Sequence, residues 1–370
     1  MSTSAPRTGD QSTLSDRPGD SGADQAVTVA DVVAELDRWY PQSWAQEWDR
    51  VGLVLGEPAS PVRRVAYVVD VVPETVAEAL DAGADLIVAH HPLLLRGVSS
   101  VAPTTWKGRI VHQLIRADVA LYVAHTNADV ANPGVSDALA ARFGLTGLRP
   151  LDPPTPGSPA ATSGPVGSAA TSGPVGSAAT SGPAGPAGPA RPAGPAGPAG
   201  PVGSAGGGTP AGGSGSPAGG RGIGRIGELP RPMTLAELTR HAAAVLPPTA
   251  WGVRAAGDPE RLIRTLAVSG GSGDSFLAAA TAAGVDAYLT SDLRHHPVGE
   301  QLAAGGPALL DAAHWATERP WLDDVAAHLR ATLGVEGYVS DLATDPWTVH
   351  AASSTAHHHP HLVDDKEPRP

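Results

Sequence analysis

Apolar positions recur at helical spacing soon after the start of the chain. Val29, Val32, Val33 and Leu36 follow Thr28, a residue type that caps helix N-termini. The unbroken, β-branched run Val65-Ala66-Tyr67-Val68-Val69 then predicts a buried strand. The pattern returns to helical over 74–82, where Gly83 stops it. A second strand over 85–89 runs straight into His90-His91-Pro92. A helix over 106–117 and a third strand over 119–124, ending at His125, complete the first half. The second half repeats the alternation. It predicts helices over 233–245, 275–283 and 315–333 and strands over 262–268 and 286–290, with Pro307 to Leu310 leading to Asp311-Ala312-Ala313-His314. Strands alternating with helices imply an α/β fold with mostly parallel or mixed sheets flanked by helices.

Between the halves the pattern vanishes. Of the 45 glycines and 37 prolines, many crowd into residues 151–221, where a nine-residue unit starting at Ala161 is nearly copied from Ala170 and Gly-Pro-Ala triplets follow. Arg191 interrupts the triplets, and a collagen triple helix requires Gly at every third place, so the segment reads as a linker. Residues 1–26 and 346–370 are polar and read as disordered tails. The chain therefore divides into a first α/β domain over 27–150 and a second over 222–345.

Composition narrows the chemistry. With no cysteine, thiolate metal sites and cysteine nucleophiles are excluded, so any metal must be held by His, Asp or Glu. A net charge of −12 argues against a nucleic-acid partner. The absence of a signal-like or bilayer-length apolar run predicts a cytoplasmic protein with no membrane partner.

Three His/carboxylate clusters each follow a predicted strand. His90 and His91 leave their strand on opposite sides, at the C-terminal end where α/β sheets bind ligands. The alternative is a turn that happens to hold two histidines. In His125-Thr126-Asn127-Ala128-Asp129 the carboxylate is the better ligand; His125 is either a ligand or the partner that orients one. Asp129 could instead cap a helix. His314 and Glu318 share a helix face at i, i+4, a spacing suited to metal and also to an ordinary surface pair. Together they suit two divalent ions of identity Zn, Fe, Mn, Ni or Co. Two further features compete for attention. Residues Gly222 to Gly227 fit G-x-G-x-x-G, but they follow a linker rather than a strand, so a turn or close-packed segment is expected. The run His357-His358-His359-Pro360-His361 lies in the tail. His295-His296-Pro297 echoes the first cluster and offers either proton-transferring histidines in the pocket or surface residues.

The segments Trp48-Asp49-Arg50-Val51-Gly52-Leu53, His90-His91-Pro92-Leu93, His125 to Asp129, Gly224-Arg225-Ile226-Gly227-Glu228-Leu229, Tyr288-Leu289-Thr290 with Asp292, and His314-Trp315-Ala316-Thr317-Glu318 give the chain a resemblance to a known family. It resembles the GTP cyclohydrolase 1 type 2 homologues, dinuclear-metal proteins related to a yeast transcription-factor-interacting protein. The resemblance implies two similar α/β domains with a metal pair in the cleft between them. It also implies ligands His90, His91, Asp129, His314 and Glu318, with Glu318 shared, and a homohexamer. The family often has Gly where this chain has Ser291. The implied activity is hydrolysis of a nucleotide, in the GTP case opening of the purine ring by a metal-bound hydroxide, with His295 or His296 moving protons. The alternatives are a non-catalytic metal-binding or interaction protein and a two-metal phosphoesterase.

Overall fold

A computed structural model describes residues 26–153 and 220–351. The predicted tails over 1–26 and 346–370 and the linker over 151–221 fall almost wholly outside these residues, as does the histidine run at 357–361. The first half contains α1 (Val29–Trp39), β1 (Gly52–Leu55), β2 (Arg64–Val68), α2 (Pro73–Asp81), β3 (Leu86–Ala89), α3 (Trp106–Arg116), β4 (Ala120–Val123), α4 (Thr126–Asp129), α5 (Val135–Arg142) and β5 (Thr146–Asp152). The second contains β6 (Ile223–Thr234), α6 (Leu235–Val245), β7 (Val253–Ala256), β8 (Leu262–Ser272), α7 (Leu277–Ala282), β9 (Ala287–Ser291), α8 (His295–Ala303), β10 (Ala308–Ala312), α9 (His314–Leu333) and β11 (Glu336–Val339).

The helix starts follow local chemistry. Thr28 accepts the Asp31 N–H while Asp31 accepts the Thr28 N–H, so two end groups of α1 are satisfied reciprocally; Thr234 and Glu237 do the same for α6.

Two mixed sheets result, in the strand orders β1-β4-β3-β2-β11 and β5-β6-β8-β9-β10-β7. The inner pairs β2–β3, β3–β4, β8–β9 and β9–β10 are parallel, while β1, β5 and β7 attach antiparallel at edges. The sheets do not respect the linker. β5 pairs with β6 of the second sheet, and β11 pairs in parallel with β2 of the first. Each sheet thus takes an edge strand from the other half of the chain.

Of the two readings offered for Gly222 to Gly227, the close-packed segment is the one found: Ile223 to Gly227 open β6, which pairs on both sides. Gly224 has φ +66°, and a Cβ there would crowd Leu151 and the Val268 carbonyl, which explains the glycine without a nucleotide. Beside it Arg225 is 1% exposed. Its guanidinium donates to both Asp137 oxygens at 2.7 Å and to the carbonyls of Gly222 and Gly224, tying β6 to α5. The apolar sides of α1, α5, α6 and α9 share one buried cluster with residues of both sheets, centred on Leu36, Leu139, Leu238 and Trp321. Helix α9 lies in this seam, touching α1, α5, β2 and β8, and its first turn faces the C-terminal ends of β3 and β8.

Candidate metal centre

Strand β3 ends at Ala89, but its ladder continues: the N–H groups of His90 and His91 donate to the Val68 and Val69 carbonyls. Both imidazoles are therefore carried on a fixed backbone. His90 is fully buried, and its Nδ1 lies 2.9 Å from the Ala124 carbonyl. A carbonyl only accepts, so Nδ1 carries the proton and Nε2 keeps its lone pair. The same arrangement recurs at every histidine of the cluster. Nδ1 of His91 meets Asp70 at 2.7 Å, that of His125 meets Asp49 at 2.9 Å, and that of His314 meets Asp292 at 2.6 Å. Four acceptors thus fix four rings, the arrangement that orients metal-ligating imidazoles.

The Nε2 atoms converge on Glu318, at the second turn of α9 and 3% exposed. Its Oε1 lies 3.0 Å from His314 Nε2 and 3.4 Å from His90 Nε2, and its Oε2 lies 3.3 Å from His91 Nε2. Asp129, at the end of α4, reaches to 3.7 Å from His90 Nε2. Ligand atoms of His90, His91 and His125 lie within 4.8 Å of one another, as do those of His91, His314 and Glu318. The five expected ligands come together from both halves, and His125 joins them. His295 and His296 do not. They are exposed at the start of α8, and neither lines the cavities that open onto the cluster.

The donor set fits divalent cations. His90 Nε2 and Glu318 Oε2 are buried without a hydrogen-bond partner, a state that is costly unless a cation supplies the missing interaction. The metal-free electrostatics say the same. Burial disfavours the Glu318 anion, yet the charges of His314, His91 and His90 hold its carboxyl well below the usual range. Burial likewise opposes the His91 imidazolium, but Glu318 and the Asp70 hydrogen bond push its value up to about 10. His314 is raised by the same kind of contest, with Glu318 and Asp292 outweighing burial. Burial lowers His125 to about 4, so it remains neutral and free to ligate, and raises Asp129 to about 7, with the Glu318 and Asp49 charges adding to the effect.

Glycine at 271 makes room for the carboxylate. Gly271, next to last in β8, has φ +65°, and a Cβ would overlap Glu318 Oε1 and sit 3.1 Å from His314 Nε2. Its N–H donates to Thr317 Oγ1 at 2.9 Å, and its carbonyl accepts from the hydroxyls of Thr290 and Ser291. The serine at 291 is thus fully buried and bonded to the backbone beside the ligands.

Comparison with known proteins now bears on this site. The family model of Duf34/NIF3 (NGG1p interacting factor 3) matches residues 27–346. The chain belongs to the NIF3 family. Relatives of this NIF3 protein include a "GTP cyclohydrolase 1 type 2 homolog" of Streptomyces coelicolor, 45% identical over 331 residues, which span 88% of this chain and 95% of the relative. A protein of the same name from Mycobacterium tuberculosis is 41% identical over 371 aligned residues, with 88% of this chain and 97% of the relative covered. Among solved structures, a Bacillus cereus protein related to NIF3 superimposes with a TM-score of 0.66 at 23% identity, covering 88% of this chain and 99% of that one. That likeness shows that this NIF3 chain shares its fold.

Proposed function

We propose that this protein is a hydrolase of a nucleotide that works with two divalent cations, GTP being the first substrate to try. The observation that carries the reading is the buried Glu318 carboxylate, ringed by Nε2 atoms from both halves of the chain and left with an unpartnered oxygen. His91, His314 and Glu318 would hold one ion; His90, Asp129 and Glu318 would hold the other, with His125 beside it. When bound, such a pair polarises an electrophile and lowers the pKa of water near neutrality. The chain's own contribution is orientation: Asp70, Asp49, Asp292 and the Ala124 carbonyl keep each ring aimed inward. Because His295 and His296 stand outside both adjoining cavities, a group better placed for moving protons is His125, which lines both. The names of the relatives support GTP as substrate. The same family reading supports a cytoplasmic homohexamer, which light scattering on the purified protein would test. Among the described residues no helix is long and apolar enough to cross a membrane.

The direct experiment loads the protein with Zn, Mn or Fe, counts bound metal, and assays formate and phosphate release from GTP. The expected result is two ions per chain and formate release that Glu318→Gln abolishes. Phosphate without formate would replace ring opening by phosphoester hydrolysis. Metal-replete protein inert toward a nucleotide panel would leave a binding function only.

A further inference from the structure

The His/carboxylate cluster opens onto a cavity of about 720 Å³, within the range of small-molecule sites. Four tryptophans line it, Trp48 from the first half and Trp251, Trp347 and the buried Trp315 from the second. Trp48 is 41% exposed and stands edge-on to His125, with ring centroids 6.0 Å apart. Trp347 is 61% exposed, so its ring is open to a partner. It lies 6.0 Å from Trp251 with the ring planes tilted by 32°, and the two form one aromatic wall. The Arg254 guanidinium, paired with Asp311, lies over the Trp251 ring at 4.7 Å, which leaves Trp347 as the open stacking surface.

This wall is held to the metal ligands. Thr344 donates its hydroxyl to Asp70, the carboxylate that orients His91, and the Ser340 N–H donates to the Tyr67 carbonyl at 2.9 Å. The polar groups between are mainly acceptors. Asp345 is 8% exposed with one oxygen unpartnered, and Asp292 spends one oxygen on His314 while its side chain remains half-exposed. Carboxylates repel a phosphate at this end and suit a ring edge that offers N–H donors.

We propose that this cavity is the substrate's base subsite, in which a planar nitrogen heteroaromatic ring stacks on Trp347 with its N–H edge toward Asp292 and Asp345 and its reacting end toward the cluster. The proposal deepens the nucleotide reading above and rests on it.

The test is equilibrium dialysis of the metal-loaded full chain against guanosine, a probe with the ring and no phosphate. Guanosine should bind, and ribose 5-phosphate should not displace it. Trp347→Ala should weaken binding by about tenfold, the scale of one base–aromatic stack, while Trp347→Phe stays within about threefold by retaining an aromatic face. Metal content should be unchanged in both, since Trp347 touches no ligand. Binding unaltered in Trp347→Ala, displacement by ribose 5-phosphate or choline, or no guanosine binding at millimolar concentration would each overturn the subsite. Formate release with unaltered Trp347→Ala binding would sink the subsite alone. Tryptophan-dependent guanosine binding without hydrolysis would sink the catalytic reading and leave the subsite standing.

Discussion

Replacing Gly271 by alanine should disable the proposed metal centre without replacing any ligand. Two effects add at this position. The backbone sits at φ +65°, where an L side chain loses about 1 to 2 kcal/mol against glycine. The new methyl group would also overlap Glu318 Oε1. A carboxylate end can normally swing aside, but this one is buried and pinned by His90, His91 and His314. Moving it breaks those contacts, and overpacking of this kind costs about 1 to 3 kcal/mol more. Gly284 supplies the control, because it has φ +66° and nothing within 4 Å of a Cβ. Gly284→Ala should therefore lose only the backbone part. Urea denaturation of the metal-free proteins should show Gly271→Ala less stable than Gly284→Ala by about 1 to 3 kcal/mol. Metal counting should show ions retained in the control and lost in Gly271→Ala. Equal stabilities, or full metal content in Gly271→Ala, would refute the claim that the glycine exists to seat Glu318.

Other perturbations probe the rest of the scaffold. Asp49 is buried, which opposes its charge, yet the His125 ring N–H and the Thr126 N–H and hydroxyl hold its carboxyl below the usual range. A depressed folded value stabilises above the unfolded one and is lost as pH falls through the folded one, so Asp49→Asn should destabilise by about 1.5 to 3 kcal/mol near pH 7, a gap that shrinks below about pH 4 in urea titrations. The same variant should bind metal about 10- to 100-fold more weakly by calorimetry, since a neutral amide replaces the carboxylate that orients His125 and raises its basicity. Removing the Arg225 guanidinium strands Asp137 and three buried carbonyls, and Arg225→Ala should cost about 3 to 5 kcal/mol in the same denaturation assay. Chelation should lower the melting temperature; at a hundredfold excess over Kd each bound ion contributes about 2.7 kcal/mol. Asp152 and Ile223 are direct partners in the β5–β6 ladder, so residues 154–219 join two adjacent strand ends. Exchanging them for a short Gly/Asn turn should leave metal content and fold intact by metal analysis and circular dichroism, because closure entropy changes by only about 0.6 kcal/mol per doubling of loop length.

Much of the candidate cluster was legible because it follows local periodicity. His90 and His91 stand at a strand end, and His314 and Glu318 at helical spacing. The capping pair Thr28 and Asp31 is equally local. What escaped depends on partners far along the chain. Asp49 means nothing until His125, 76 residues away, lies against it. Asp70 is simply the last residue of an apolar run until it meets His91. Arginine in a glycine-rich stretch reads as surface, and Arg225 is buried only because Asp137 and backbone carbonyls receive its five donors' worth of polarity. His295-His296-Pro297 misled because it copies His90-His91-Pro92 in letters and not in position. Residues 292–294 separate it from the end of β9, and the pair opens a helix facing solvent.

The exchange of edge strands explains how a site split across a long linker can be rigid. Candidate ligands in one half and in the other need more than a shared cation to stay in register. Here β11 follows directly on α9 and enters the first sheet beside β2, while β5 leaves the first half to join β6. The helix carrying His314 and Glu318 is therefore held at one end by Gly271 of the second sheet and at the other by a strand of the first. In between, Trp321 of α9 donates its indole N–H to the Tyr40 hydroxyl at 2.9 Å and packs its ring against His90. Separation of the halves would break two strand pairings and that buried contact together. The cluster is thus preorganised by the fold itself, with no need of a cation to bring its members together.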